Sequence, residues 1–122
     1  MSDKKILIAE DEGIVTSDLR SYLTGLGYRI SASVLSGEEA VKCCRSDPPD
    51  AALIDIGLQG KMDGIEASKK IWGEMGVPVI FITGFADENT LSRARQTNPE
   101  EILIKPIEEE NLKKALEQVL KE

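Results

Sequence analysis

The chain has 122 residues, the length of one domain, and its 41% hydrophobic and 30% charged residues are typical of a globular protein with a packed core. Its net charge of −7 argues against a nucleic acid or an anionic membrane surface as a direct partner, because phosphate groups attract surfaces rich in lysine and arginine. No apolar run approaches the roughly 20 residues that cross a bilayer, and the N-terminus lacks the apolar segment of a signal peptide, so we expect a cytoplasmic protein.

Apolar runs of strand length alternate with segments of helical periodicity five times along the chain. The continuous runs Lys5–Ala9, Ala51–Ile54 and Val77–Ile82 predict strands that are buried on both faces. Polar and apolar residues alternate over Ile30–Val34, which predicts a half-exposed edge strand, and Ile102–Ile104 predicts a short fifth strand.

Apolar residues at helical spacing predict a helix after each strand. The second helix begins with a capping box at Ser36–Glu39, and the third begins at Asp63 with Ile71 and Trp72 on its inner face. The predicted helices cover about residues 15–26, 36–47, 63–75, 86–96 and 112–119.

Strands that alternate with helices form a parallel sheet, and right-handed crossovers place the helices on both of its faces. The continuous apolar strands belong in the centre of this sheet, and the alternating second strand belongs at an edge. We therefore predict a flavodoxin-like α/β domain, a doubly wound (βα)5 sheet with the strand order 2-1-3-4-5.

Charged and polar side chains stand where the apolar runs end. Glu10 and Asp11 follow the first strand, and Asp55, Thr83 and Lys105 follow the third, fourth and fifth. Ligands of such sheets bind outside the carboxyl ends of the strands, near the switch in strand order. Taken singly, these residues could be helix caps, a turn, a loop hydroxyl or a solvated charge, but their convergence at one edge favours a site.

This set of groups predicts a chemistry. Three neighbouring carboxylates raise one another's pKa, and a hard divalent cation relieves that repulsion. Oxygen ligands favour Mg²⁺, with Mn²⁺ as a second candidate, over zinc. A carboxylate beside such a cation can attack phosphorus and form an acyl phosphate. Lys105 and Thr83 would then offer a positive charge and a hydroxyl donor to the phosphoryl oxygens.

The histidine and cysteine contents exclude other chemistries. The chain has no histidine, which excludes a Ser-His-Asp triad, a histidine-ligated zinc site and a phosphohistidine within this chain. Cys43 and Cys44 are adjacent, so they cannot form a disulfide framework, and we expect one to pack inward and the other to lie near the boundary of the core.

Five segments together resemble the receiver domain of two-component response regulators, of the kind known from chemotaxis receivers. In chain order they are Ile6–Glu12, Leu53–Ile56, Met62–Gly64, Ile82–Gly84 and Lys105–Pro106, and the similarity extends from residue 4 to about residue 120. Each motif alone is weak, whereas five in order at family spacing are specific. The resemblance implies a single receiver domain over residues 1–122, with no output domain in this chain.

The resemblance also implies roles at the carboxyl end of the sheet. Asp55 corresponds to the phosphoacceptor, which takes a phosphoryl group from the phosphohistidine of a sensor histidine kinase or a histidine phosphotransfer protein. Glu10, Asp11, Asp55 and the backbone carbonyl of Gly57 correspond to the Mg²⁺ site. The resemblance thus implies a signalling module that catalyses its own phosphorylation and dephosphorylation rather than an enzyme with a separate substrate.

The remaining matches concern the phosphoryl oxygens. Thr83 corresponds to the switch hydroxyl, Gly84 to a backbone N–H donor, and Lys105 to the lysine that pairs with a phosphoryl oxygen. In the family the corresponding Lys-Pro bond is cis, so the resemblance implies a cis bond between Lys105 and Pro106. Asp63 and Gly64 we interpret as structural, a turn and a helix start.

Some positions depart from the family pattern. Ile102 stands where most receivers carry Tyr or Phe, and Glu101 and Ile107 are also unusual, so we expect signalling to rely on Thr83 and the loop after it. By analogy, the downstream protein partner binds the face of the fourth helix, fifth strand and fifth helix. Gly57 and Phe85 occupy positions that tune the access of water to the acyl phosphate, and the sequence leaves the direction of their effect open.

Two alternative functions stay open. One is a degenerate receiver that binds partners without phosphorylation. The other is a Mg²⁺-dependent phosphatase of the haloacid-dehalogenase kind, which also uses an aspartyl nucleophile after a strand. That family places a second acid two residues after the nucleophile, where this chain has Gly57.

Overall fold

The computed structural model describes residues 3–120, and within them five strands alternate with five helices. The strands are β1 Lys5–Ala9, β2 Arg29–Val34, β3 Ala51–Asp55, β4 Val79–Thr83 and β5 Glu101–Ile104. The helices are α1 Gly13–Gly25, α2 Gly37–Ser46, α3 Gly64–Met75, α4 Glu88–Arg95 and α5 Glu109–Val119.

All five strands form one parallel sheet in the order β2-β1-β3-β4-β5, which confirms the predicted flavodoxin-like topology. In the register of this sheet Ala9 pairs with Ile54 and Asp55 pairs with Ile82. Glu10, the residue after Ala9, is therefore level with Asp55. The carboxyl ends of β1, β3 and β4 thus present their polar residues at one edge.

The central strands bury both of their faces, because successive side chains point to opposite sides of a sheet. Ile54 and Phe81 belong to the cluster that packs under α2 and α3, whereas Leu53 and Ile80 belong to the cluster under α1 and α5. The strand β2 is an edge strand with partly exposed residues, as its alternation predicts. Two packed layers therefore fix the strand ends from both sides.

Side-chain caps set the starts of three helices. The hydroxyl of Ser36 accepts from the Glu39 N–H at 3.2 Å and caps α2, while donating to the Glu39 carboxylate at 3.1 Å. Asp63 caps α3 by accepting from the Glu66 N–H at 2.9 Å, which confirms the interpretation of Asp63 and Gly64 as a helix start. Asp87 caps α4 in the same way.

The structure corrects some details of the elements. Helical spacing predicts Trp72 on the inner face of α3, but its side chain is 38% exposed, because it lies about 100° around the helix from the buried Ile71. The helix α4 is shorter than predicted, and β4 begins at Val79 because Pro78 has no N–H for the ladder.

Two further observations concern the helices. Cys44 is buried and Cys43 is half-buried on α2, as predicted, and burial raises the pKa of the Cys44 thiol to about 11. None of the helices found between residues 3 and 120 combines the length and the apolar character that a membrane crossing demands.

Candidate functional site

The acidic side chains at the ends of β1 and β3 lie together. One carboxylate oxygen from each of Glu10, Asp11 and Asp55 lies within 4.8 Å of the others. Glu10 is fully buried and Asp55 is 5% exposed, whereas Asp11 is only partly buried. The convergence predicted from the sequence is therefore present for all three acids.

An open cleft of about 390 Å³ lies over this cluster. Its walls come from the loops that follow β1, β3, β4 and β5, at the carboxyl edge of the sheet. The lining residues are Asp11, Glu12, Asp55, Gly57, Gln59, Gly84, Phe85 and Lys105.

Lys105 crosses from the end of β5 to the acids, and its side chain is only 15% exposed. Its Nζ lies 2.6 Å from Glu12 Oε1, 3.1 Å from Glu10 Oε2 and 3.5 Å from Asp55 Oδ2. Burial alone lowers the pKa of Lys105, but the hydrogen bonds to Glu12 and Glu10 and the charge of Asp55 outweigh it and raise that pKa. The bond from Lys105 to Pro106 is cis, as the resemblance implies.

Glu10 is the acid with the least favourable surroundings. Burial raises the pKa of its carboxyl and the charge of Asp55 adds to this, while the Glu12 N–H and Lys105 oppose the rise. Its Oε1 accepts from the Glu12 N–H at 3.0 Å and from Lys105 at 3.2 Å. Its Oε2 is buried without a hydrogen-bond partner among the described residues, although the Lys105 ammonium lies nearby.

These observations test whether the pocket fits a divalent cation. The donors are carboxylate oxygens, which suit Mg²⁺, and one of them is a buried Glu10 oxygen that lacks a hydrogen bond. Lys105 carries one positive charge and faces the carboxylates of Glu10, Glu12 and Asp55, so negative charge is in excess among these four side chains. The acidic cluster therefore fits a hard cation such as Mg²⁺.

The groups at the end of β4 are arranged differently. The Thr83 hydroxyl is buried and accepts from the Phe85 N–H at 2.8 Å while donating to the Phe85 carbonyl at 3.2 Å. Gly84 lines the cleft, whereas Thr83 does not. The structure thus brings Gly84 to the predicted site and keeps the Thr83 hydroxyl on its own loop.

The loop after β3 is also at the cleft. The Gly57 N–H donates to Asp55 Oδ1 at 3.1 Å and holds that carboxylate oxygen. A Cβ placed on Gly57 would lie 3.1 Å from the Phe85 ring, so the ring covers Gly57 at close range. Phe85 itself is 59% exposed.

The sequence reasoning missed two lining residues, Glu12 and Gln59. Glu12 belongs to the segment Ile6–Glu12, for which the sequence predicts no separate role of Glu12 at the site, yet at the N-cap of α1 its side chain makes no capping hydrogen bond and instead binds Lys105. The signal that could have indicated this role is the unbroken acidic run Glu10 to Glu12 directly after a buried strand. For Gln59 the sequence offers no such signal.

The fold and the cleft define a flavodoxin-like domain with an acidic, lysine-bridged pocket at its switch point. Residues 6–117 match the model of the response regulator receiver domain, and the chain belongs to this family. The resemblance seen in the sequence is thereby confirmed, and the chain is a receiver domain of the type found in two-component signalling.

Sequence relatives and solved structures agree with this family. The transcriptional regulatory protein PdtaR of Mycobacterium tuberculosis is 32% identical over 114 residues, which is 93% of this chain and 55% of PdtaR. The chain thus spans about half the length of this relative. The signal receiver domain of a modulated diguanylate cyclase from Desulfovibrio desulfuricans is 36% identical, with a TM-score of 0.92 over 98% of this chain and 94% of that one.

One similar structure carries a metal ion. The receiver domain of the sensor histidine kinase PA1611 from Pseudomonas aeruginosa holds a magnesium ion in its active-site cleft. It is 28% identical, with a TM-score of 0.85 over 96% of this chain and 97% of that domain. In this chain the acidic cluster of Glu10, Asp11 and Asp55 lies at the carboxyl edge of the sheet.

Proposed function

We propose that this chain is the phosphoacceptor of a two-component phosphorelay and that Asp55 takes a phosphoryl group from the phosphohistidine of a sensor histidine kinase or a histidine phosphotransfer protein. The observation that carries the proposal is the position of Asp55, whose Oδ2 faces Lys105 at 3.5 Å within the acidic cluster. A nucleophile beside a cation and a metal-binding cluster is the arrangement that phosphoryl transfer requires.

The two oxygens of Asp55 have different surroundings. Oδ1 accepts from the Gly57 N–H, whereas Oδ2 faces Lys105 across the cleft. In the proposed step an Asp55 oxygen forms a bond to phosphorus as the bond from phosphorus to the donor imidazole breaks. The imidazole nitrogen keeps the electron pair of the broken bond, and the product is an acyl phosphate. Water later cleaves this product to regenerate the carboxylate and inorganic phosphate.

Mg²⁺ is the proposed cofactor, with Mn²⁺ as a substitute. Glu10, Asp11, Asp55 and the backbone carbonyl of Gly57 would hold it. When bound, the cation neutralises carboxylate charge and polarises the phosphoryl oxygens. Lys105 would offer its ammonium to a phosphoryl oxygen, and Gly84, which lines the cleft, would offer its N–H as a second donor.

Thr83 supplies the proposed switch. Its hydroxyl binds the Phe85 backbone here, and a phosphoryl group on Asp55 would give it a charged acceptor. Rotation towards that acceptor releases the Phe85 N–H and rearranges the loop before α4. Ile102 on β5 is aliphatic and partly buried, so this loop rather than an aromatic rotation transmits the change.

Two surfaces fit the proposed protein partners. Exposed Ile14, Leu35 and Phe85 lie on the loops and helix start at the carboxyl edge of the sheet, where a partner bearing phosphohistidine would dock. The face formed by α4, β5 and α5 exposes Ile104 and is proposed for the downstream protein. The net charge of −7 supports protein rather than nucleic-acid partners, and we propose a cytoplasmic location for these contacts.

Intact mass after incubation with acetyl phosphate tests the proposal. We expect a Mg²⁺-dependent gain of one phosphoryl group that is lost completely in Asp55→Asn. The matched control is Asp63→Asn, because Asp63 caps α3 and lies outside the acidic cluster. Equal loss in both variants would show that the acid carrying the chemistry is misassigned.

The absence of a mass gain calls for a second measurement, because rapid hydrolysis would give the same result. Beryllofluoride is a non-hydrolysable mimic of the phosphoryl group, so its binding is independent of hydrolysis. If neither acetyl phosphate nor beryllofluoride acts on the protein, a receiver that binds partners without phosphorylation becomes the better description. Repeated turnover of acetyl phosphate without switching would instead support the phosphatase alternative.

A further inference from the structure

Glu12 makes the shortest of the ion pairs of Lys105. Its Oε1 lies 2.6 Å from the ammonium, against 3.1 Å for Glu10 Oε2 and 3.5 Å for Asp55 Oδ2. The Glu12 side chain is 63% exposed and lines the mouth of the cleft. The carboxylate closest to Lys105 is therefore one that lies outside the acidic cluster.

In this geometry Glu12 and Asp55 compete for the ammonium group of Lys105. An ammonium has three donors, and those of Lys105 contact Glu12, Glu10 and Asp55. Glu10 is fully buried and its Oε1 is held by the Glu12 N–H, so its carboxylate has little freedom to move. When a phosphoryl oxygen on Asp55 approaches the ammonium, the exposed Glu12 carboxylate is the partner with freedom to move, so we expect its contact with Lys105 to lengthen.

We propose that Glu12 is a positioning residue that draws Lys105 towards the mouth of the cleft and so weakens its hold on a phosphoryl group at Asp55. The inference rests on the proposed function, because it requires Lys105 to contact that group. Removing the carboxylate of Glu12 frees the ammonium for the phosphoryl oxygens. The Glu12 variant without charge therefore binds the phosphoryl mimic more tightly than the native chain.

A simpler effect has to be separated from this one, because any acid at the mouth of the cleft repels an anionic ligand. Glu12→Asp keeps the charge but is one methylene shorter, which takes the carboxylate out of reach of Lys105. Asp18→Asn removes a charge from the exposed face of α1, and Asp18 makes no ion pair with Lys105. If the ion pair matters, Glu12→Asp resembles Glu12→Gln, and Asp18→Asn resembles the native chain.

Isothermal titration calorimetry with beryllofluoride in the presence of Mg²⁺ measures the effect. We expect Glu12→Gln to bind about fivefold more tightly, the upper end of what an exposed ion pair contributes. Glu12→Asp changes in the same direction and Asp18→Asn stays unchanged. In a Lys105→Met background the Glu12→Gln substitution has no effect, because the double-mutant cycle removes the partner.

A spectroscopic signature supplements the affinities. The side-chain ¹⁵N resonance of Lys105, assigned by its absence in Lys105→Met, shifts in both Glu12 variants and not in Asp18→Asn. Native affinity in Glu12→Gln overturns the inference, as does an equal gain in the Lys105→Met background or native behaviour in Glu12→Asp. Failure of the native chain to bind beryllofluoride at all overturns the proposed function itself, so the two failures are distinguishable.

Discussion

The two sides of the cleft differ in how closely their functional groups are already brought together. On the side of β1 and β3 the carboxylates of Glu10 and Asp55 are close together, and Lys105 contacts both. On the side of β4 the Thr83 hydroxyl is bound to the Phe85 backbone, and Thr83 is not among the residues that line the cleft. We call Glu10, Asp55 and Lys105 the charged half of the site and Thr83 the hydroxyl half. The groups of the charged half already contact one another, whereas the hydroxyl half is bound to its own loop.

The difference follows from what holds each half. Strand register and packing fix the charged groups. Glu10 and Asp55 lie side by side at the ends of β1 and β3, and the hydrophobic clusters on both faces of the sheet hold these strands in place. The Thr83 hydroxyl is held by neutral hydrogen bonds, each with a net contribution of about 1 kcal/mol. A charge-assisted contact with a phosphoryl oxygen is stronger than either bond. The Thr83 hydroxyl can therefore rearrange at a small cost in free energy, and this is why it can act as a switch.

The largest expected effect comes from disturbing the support of the charged half. Gly64 packs against the end of β3, and a Cβ at that position would lie 2.8 Å from Ile56 Cα and closer still to the Asp55 carbonyl oxygen. Backbone atoms cannot yield as a flexible side chain would. We expect Gly64→Ala to lower the free energy of unfolding in urea by about 3 kcal/mol. It should also weaken beryllofluoride binding, because Asp55 is displaced.

Gly73→Ala in the same helix is the matched control. A Cβ on Gly73 would meet no atom within 4 Å, so no clash opposes the substitution. Alanine has the higher helix propensity, and we expect a gain of up to about 1 kcal/mol with unchanged ligand binding. Similar losses in both variants would mean that α3, rather than its contact with β3, is the sensitive element.

The next effect concerns the hydroxyl half. Thr83→Val keeps the shape of the side chain but leaves the Phe85 N–H without its hydroxyl acceptor. We expect the free energy of unfolding to fall by about 1–2 kcal/mol. Beryllofluoride should still bind, more weakly, while its effect on the amide NMR signals of the loop before α4 is lost.

Thr97→Val provides the control for this variant. The Thr97 hydroxyl is also buried and donates to a backbone carbonyl, that of Ala94, at 2.8 Å, but it lies at the end of α4 away from the cleft. A similar loss of stability with a native response to beryllofluoride is expected. If Thr97→Val also abolished the response, the loop would be responding to stability and not to the Thr83 hydroxyl.

The charged half of the site could be predicted from the sequence, because the positions of its residues follow from where the strands end. Continuous apolar runs identified the central strands, and the strand order then brought Glu10, Asp55 and Lys105 to one edge. The sequence could not give the orientation of the Thr83 hydroxyl, since a side-chain torsion decides between the Phe85 backbone and the cleft. The ion pair between Lys105 and Glu12 was equally unpredictable from the sequence, because several acids compete for one ammonium.

The packing of α3 shows the same limit. Helical spacing alone assigned Trp72 to the inner face together with Ile71, but neighbouring residues on a helix point in directions about 100° apart. The structure buries Ile71 and leaves Trp72 partly exposed. The period of the helix was therefore predictable, whereas the exact edge of its buried face required the tertiary contacts.

The smallest expected effect is a dependence on pH, and it concerns the charged half. Burial and the charge of Asp55 raise the pKa of Glu10 in the folded chain above its value in the unfolded chain. The folded state therefore holds this proton more tightly, and the cost of ionising Glu10 grows as the pH rises through the raised pKa. Glu10→Gln lacks that cost, so its free energy of unfolding should increase relative to the native chain between acid and neutral pH. Urea unfolding over a pH series without divalent cations measures the difference, and a value independent of pH would contradict the argument. Added Mg²⁺ should reduce the advantage of Glu10→Gln, because a bound cation stabilises the ionised carboxylate.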